Sequence, residues 1–495
     1  VFAQNILELI RAAATNLPTD VVEALLAAKN RETNPRGKLT LGIILQNIAL
    51  AKKLNRPLCQ DTGSLTFFVK AEPQSWSKIA KAIDAATRKA TKIGLLRPNS
   101  VDSVSGKNLG NIPKIEFESK SSSGSLSRRE AFGLRKRGAV EISLLLKGGG
   151  SENVSAQVAL PLETKSGLAG RDLAGVKKAA LAILESSVGK GCPPGIVSIV
   201  IGGDRAEAFK IAKKNLLQKI GTPNSDSKLA KLEAEILRSI NSSKIGPGGL
   251  GGQTTLLDCR IASLPRHPAC FFVTLAYSCW ATRRGKIILD AKGQILRNNY
   301  SKKLTHHLGG ELTSVIEKAK KIQLPISEKA VRELRAGELV AISGRIFTAR
   351  DQVHNFVVEG GSLTPELTRG LKGSGVFHAG PIAILRNKKW KIVAAGPTTS
   401  ARLDVFTPKF LEKTGARVLI GKGGMGAATA QALQKFGAVY CHAIGGAAAF
   451  YADAIREVRG VDFLDEFGMP EALWELEVEN MLAIVGMDAR GGVIR

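Results

Sequence analysis

The stretch at residues 417–433, RVLIGKGGMGAATAQAL, constrains the fold most. It sets a short apolar run, a turn with glycines at 421, 423, 424 and 426, and a helix-forming run end to end. Residues 416–420 predict a buried strand and 427–436 a helix, and strand–turn–helix is the repeating unit of an α/β layer. The pattern also matches the glycine fingerprint of a dinucleotide site. Such a site needs an acidic residue at the end of the next strand to hold a ribose hydroxyl, and residues 438–441 run instead into Cys441 and His442. What remains is a helix N-terminus beside Lys422, which suits a small anion, carboxylate as well as phosphate.

The same alternation extends through strands at 338–343, 376–378 and 391–395 and a helix at 408–414, so the C-terminal part reads as a β-α-β layer. Upstream, the first hundred residues read as helices at 6–15, 21–31, 41–54 and 76–92, the second opened by a capping-box pattern from Asp20 to Glu23. From about residue 115 the pattern is mixed, with strands at 140–146 and 197–201 and helices at 173–186, 206–218 and 228–241. A basic helix with a proline break, EKAKKIQLPIS at 317–327, places the boundary at 322. The expected fold class is therefore α/β: a mixed α+β domain over 1–322 and a smaller α/β domain over 323–495.

Of the 495 residues, 44% are hydrophobic and 23% charged, as in an ordinary globular protein. The net charge of +28 invites a nucleic-acid reading. The basic residues are spread along the chain, however, and aromatics make up only 5%, which leaves few platforms for stacked bases. The reading is a bland basic surface, with steering of an anionic substrate the alternative, and no nucleic-acid partner is expected. The densest basic run, SRREAFGLRKRG, follows the serine-rich SKSSSGSLS, and 119–138 reads as an exposed insertion. No apolar run has the length of a membrane span, and the N-terminus reads as an amphipathic helix, so a cytoplasmic protein is expected.

Six cysteines are scattered with no C-x-x-C pair. Cys259, Cys270 and Cys441 read as small buried hydrophobes. Cys59, Cys192 and Cys279 lie in the turn-rich segments RPLCQDTG, GCPPGIV and AYSCWATRR. Three thiolates without a fourth partner suit three corners of an iron-sulfur cube with one iron left open, a Lewis acid for a hydroxyl and a carboxylate.

In order along the chain stand PLCQDTG, KGGGSEN, CPPGIV with IGGDRAEA, IGPGGLGGQTTLLD, SCWATRR, GRIFTARDQVH, AAGPTTSARLD, IGKGGMG and HAIGGAAAF followed by FGMPEALWELEVE. This ordered set resembles the class I, iron-sulfur-dependent fumarate hydratases, a family that also contains L-tartrate dehydratase, with the α and β parts fused. The resemblance implies a 4Fe-4S cluster on Cys59, Cys192 and Cys279, a cluster-binding N-terminal domain and a swivelling C-terminal domain, and a homodimer. It further implies a dicarboxylate site lined by Gln60, Asp61, Arg97, Gly149, Gly150, His267, Arg350, Thr398, Arg402 and Lys422. The residue types fit that task, since a dianion needs cations at both ends. Asp61 and Thr398 are the expected proton-handling pair, His267 a binding or orienting group, and His354 an orienting or structural residue. The expected reaction is reversible hydration of fumarate to (S)-malate, with L-tartrate dehydration the alternative. Ala401 beside Arg402 favours fumarate, because an apolar wall suits a carbon without a second hydroxyl. Gln352 and Asn355 depart from the family pattern.

Overall fold

The computed structural model describes residues 1–119, 138–187, 190–300 and 312–494. All but the two ends of the serine-rich basic stretch at 119–138 lie outside the described residues. Contacts divide the chain into two compact units, Val1–Leu41 with Asp61–His307, and Gly42–Gln60 with Leu308–Arg495.

The first unit holds two sheets. In the five-stranded sheet the order is Ile295–Asn298, Arg283–Leu289, Val140–Lys147, Ser64–Lys70 and Lys114–Glu118, antiparallel except for the last pair. Leu65, Phe67 and Val69 alternate along Ser64–Lys70 and face one core, and Thr66 and Phe68 between them are buried on the other face. The first three pack under two helices, Phe2–Thr15 and Trp76–Lys92, whose Phe2, Ile6, Leu9 and Ile10, and Ile79, Ile83 and Ala86, recur at helical spacing. This strand corrects the all-helical reading of the first hundred residues.

The second helix, Thr19–Arg31, is also not opened by a capping box. Its N-cap is Pro18 without a side-chain cap. Asp20 lies inside the helix, after Thr19, and its carboxylate instead accepts from the Ile220 amide and pairs with the buried Arg284.

The four-stranded sheet runs Leu256–Leu264, Gly195–Gly202, Phe272–Ser278 and Ala156–Ala159. Every residue of Gly195–Gly202 is buried. Helices Leu173–Ser186 and Ser227–Ser242 cover this sheet through Val176, Ala180, Leu232 and Ile236.

The second unit is the expected α/β layer with one addition. Its seven-stranded sheet runs Lys320–Gln323, Leu339–Thr348, Gly375–Phe377, Val418–Gly421, Val439–His442, Leu473–Met487 and Ile455–Asp462. Leu339–Thr348 pairs with Leu473–Met487 as well, so five of the strands close on themselves. The expected strand at 391–395 forms instead in a separate hairpin, Ile382–Arg386 with Lys389–Ala394. The proline-broken basic helix at 317–327 is corrected too: a helix Leu312–Lys318 gives way to the edge strand Lys320–Gln323, which buries Ile322.

Candidate active site

In the first unit, three strand ends meet at one edge of the five-stranded sheet: Ser64 lies opposite Lys147, and Leu146 opposite Arg283. The turns outside those ends are therefore neighbours. Asp61 Oδ2 accepts from the Gly149 amide at 2.8 Å and Oδ1 from Gly63 at 3.2 Å. A Cβ on Gly148 would sit 3.0 Å from Asp61 Oδ2, so a side chain there would crowd the Asp61 carboxylate. The buried Thr62 hydroxyl accepts from the Arg97 amide and from Asn99 Nδ2, both at 3.0 Å. Asn99 Oδ1 in turn accepts from Arg97 Nε at 2.8 Å. Asp61, Arg97 and Gly149, with Gly150 beside it in the same turn, are thus gathered at this edge.

Cys192 precedes Gly195–Gly202 and Cys279 follows Phe272–Ser278. These strands are antiparallel with Ile196 opposite Ser278, which puts both cysteines at one end of the four-stranded sheet. Cys192 takes a left-handed backbone conformation, φ +53°, uncommon for a residue with a side chain. The Cys279 amide donates to Ser151 Oγ at 3.2 Å, tying it to the short helix Gly149–Asn153. Burial pushes the Cys279 thiol up, and so does the neighbouring Cys192; Arg283 acts the other way. Burial also pushes the Lys147 ammonium down to about 8, against its pairing with Glu152 at 2.9 Å.

A half-buried thiol at Cys279, whose thiolate form burial and the neighbouring Cys192 disfavour, is what a metal cation relieves, so this pair of sulfur donors fits metal–thiolate chemistry. Among the described residues no three metal-ligating side chains gather, and the third candidate, Cys59, belongs by its contacts to the second unit. His267 stands apart. It is exposed on the loop after Leu256–Leu264, whose Leu264 lies opposite Gly202. That is the far end of Gly195–Gly202 from Cys192, roughly 23 Å along the strand at ~3.3 Å per residue.

In the second unit, Cys59 and Gln60 sit on a pinned segment. The Leu58 carbonyl accepts from Asn47 Nδ2 at 3.0 Å and from the Ala448 amide at 3.2 Å. The Cys59 thiol donates to Gln60 Oε1 at 3.5 Å, and Gln60 Nε2 to the Pro397 carbonyl at 3.4 Å. Pro397 leads into the turn that carries Thr398. The Thr398 amide donates to the His378 carbonyl, Lys422 donates its amide to the Thr398 carbonyl at 3.2 Å, and Ser400 returns a bond to the Lys422 carbonyl at 2.9 Å.

Arg402 Nη2 donates to Thr398 Oγ1 at 3.2 Å and to Asp351 Oδ2 at 2.9 Å. Arg350 is held by Glu471 at 3.0 Å and by the Pro470 carbonyl at 3.3 Å. Burial pushes the Glu471 carboxyl up while Arg350 pulls it down. Arg350, Thr398, Arg402 and Lys422 are thus assembled by one set of bonds. Asp351 and Glu471, which orient the two arginines, escape the sequence reading. Asp351 stands next to Arg350 in ARDQVH and was open to inference; nothing in GMPEALW points to Glu471.

The glycine turn differs from expectation in one respect. The helix after it, Ala427–Phe436, has an N-terminus whose Gly426 amide already donates to Asp404 Oδ1 at 2.7 Å, with the Thr429 hydroxyl at 2.6 Å on the same oxygen. The chain supplies its own anion there. The glycines serve instead to bring the Lys422 backbone against Thr398–Ser400: a Cβ on Gly421 would overlap Ser400 Oγ.

Beneath this layer lies a buried polar chain. Tyr440 donates to Ser400 Oγ at 3.2 Å, and Ser400 shares a hydrogen bond with His378 Nδ1 at 2.9 Å. His354 Nδ1 meets the Arg350 carbonyl at 2.9 Å, and its ring stacks on Phe410. Burial pushes His354 down to about 4, and burial with the nearby His354 takes His378 well below the ordinary range. Both are neutral props under the arginine–threonine layer, which bears out the structural reading of His354. Cys259 and Cys441 are buried as expected, and burial raises Cys441 to about 12; Cys270, on the loop after Leu256–Leu264, is only half-buried, which corrects its reading as a core residue.

Comparison with known proteins finds two family matches along the chain. The family described as "Fumarate hydratase (Fumerase)" matches residues 3–288, and "Fumarase C-terminus" matches residues 293–494. A protein of Geobacillus stearothermophilus named "Putative fumarate hydratase class I" is 38% identical across 99% of this chain and 94% of its own length. From Methanocaldococcus jannaschii, "Putative L(+)-tartrate dehydratase subunit alpha" is 39% identical over 58% of this chain and 98% of its own length. The matching "subunit beta" is 41% identical over 34% of this chain and 87% of its own length. The chain therefore belongs to the fumarate hydratase family of hydro-lyases, with parts in one polypeptide that tartrate dehydratase relatives carry as separate subunits.

Proposed function

We propose that the protein is a class I fumarate hydratase, adding water reversibly to fumarate to give (S)-malate. The observation that carries this reading is the Arg350–Thr398–Arg402–Lys422 assembly, in which Arg402 donates to the Thr398 hydroxyl, Asp351 lies against both arginines and the Lys422 backbone is bonded to the Thr398 turn. A 4Fe-4S cluster on Cys59, Cys192 and Cys279 would supply, at its open iron, Lewis-acid polarisation of the C2 hydroxyl.

The chain's own residues do the rest. Arg350, Arg402, Lys422 and Arg97 bind the two carboxylates, and the arginines offer planar forks for bidentate contact. In the malate-to-fumarate direction a C3 proton leaves only if the carboxylate next to it is stabilised as charge builds there, so cations clamped in advance lower the barrier. Thr398 Oγ1 and the Asp61 carboxylate handle that proton. The Arg402 guanidinium, donating to Oγ1, favours the deprotonated hydroxyl. Gln60 and the Gly149–Gly150 turn orient the substrate, and His267, exposed in its own unit, is left the binding role that the resemblance gives it.

The domains are proposed as 1–322 and 323–495, and the protein as a cytoplasmic homodimer. The test is kcat/KM for (S)-malate and L-tartrate on one anaerobic preparation. An apolar wall discriminates against an added hydroxyl only about a hundredfold, so malate is expected to win with slow tartrate turnover. A higher value for tartrate overturns the fumarase assignment and leaves the hydro-lyase class standing.

A further inference from the structure

Arg283 opens the strand Arg283–Leu289 and is 1% exposed, one of the largest fully buried side chains. Its Nε and Nη1 are buried without a hydrogen-bond partner. Its neighbours in the fold are treated differently: Arg284 pairs with Asp20, Lys147 with Glu152, and Arg260 with Asp258. A guanidinium taken out of water is costly unless an anion and acceptors answer it. Nη2 lies 3.8 Å from the position of a Cβ on Gly148, at the Asp61 edge of the site. Arg283 also acts electrostatically on Cys279, in the opposite sense to the neighbouring Cys192.

We propose that Arg283 is the buried counter-cation of the cysteine-held cluster, a positioning residue that sets its reduction potential. The inference rests on the cluster reading above. Three thiolates on a 4Fe-4S core of charge 2+ leave a net negative charge, and one-electron reduction adds another. A fixed cation at the cysteines stabilises both forms, the reduced one more, and so raises the potential. In the protein without a cluster, Nε and Nη1 of the same cation have no acceptor.

The test uses the full chain and its Arg283→Met and Arg283→Lys variants, each measured without the cluster by thermal unfolding and, after anaerobic reconstitution, by an EPR-monitored redox titration. Without the cluster, Arg283→Met should unfold at a higher temperature than the wild type. With it, Arg283→Met should show a more negative midpoint potential and Arg283→Lys one close to the wild type. An unchanged potential in Arg283→Met, a shift as large in Arg283→Lys, or a cluster-free Arg283→Met protein that is less stable or fails to fold overturns the proposal. A wild type that takes up no iron and sulfide overturns the cluster reading instead, and the cluster-free comparison still judges Arg283.

Discussion

Asp351 decides how well Arg402 is aimed. Its carboxylate takes one Nη2 bond of Arg402 at 2.9 Å and lies 3.9 Å from Arg350, so one acid orients two cations. Asp351→Asn keeps the shape and loses the charge. The lost charge-assisted bond is partly exposed, which holds its worth to about 1 kcal/mol. The expected outcome is a KM for fumarate raised roughly five- to tenfold with kcat little changed, the signature of lost positioning. Steady-state kinetics read this directly, and a large fall in kcat at constant KM would make Asp351 a participant in the proton transfer. At this scale the sequence was informative where turn chemistry concentrates unusual residues, as at Thr398, Arg402 and Lys422. It was silent on Glu471 and Arg283, because a partner brought in by tertiary folding leaves no spacing to read.

The element that most depends on close approach is the turn after Val418–Gly421. Gly421→Ala would drive a methyl into Ser400 Oγ and to 3.0 Å from His378 Nδ1, breaking the Ser400–His378–Tyr440 chain beneath Thr398. Overpacking of this kind costs about 1–3 kcal/mol. A lower Tm and a loss of hydration activity are expected together. Gly460→Ala, where a Cβ meets nothing within 4 Å, is the control and should leave both unchanged. Equal unfolding temperatures for the two variants would show that the turn yields without strain. The strand–turn–helix around this glycine was legible because an apolar run, glycines and a helix former follow one another. Ser64–Lys70 was not read as a strand, since it is short and lies among helices; its alternation of Leu65, Phe67 and Val69 was the available signal. The pairing of Leu339–Thr348 with Leu473–Met487 depends on long-range register, which local pattern does not carry.

For the molecule as a whole, the two buried histidines predict an acid-sensitive second unit. His354 titrates near 6.5 when unfolded and at about 4 when folded, and His378 is displaced in the same direction. Between those values the unfolded chain binds more protons, so their contribution is fully present above about pH 6.5 and is lost as pH falls toward 4. For His354 this amounts to ~3 kcal/mol. Denaturant unfolding at about pH 7 and about pH 5 should show a steeper loss in the wild type than in His354→Gln, and parallel losses would contradict it.

Catalysis is proposed to need iron held by Cys59, Cys192 and Cys279. The direct measurement is fumarate hydration against bound iron and sulfide, before and after exposure to air, in the wild type and in single Cys→Ser variants. The predicted result is activity that tracks the cluster, is lost in air, disappears in the Cys59, Cys192 and Cys279 variants and survives in the Cys259, Cys270 and Cys441 variants. Full hydration by protein free of iron would contradict it.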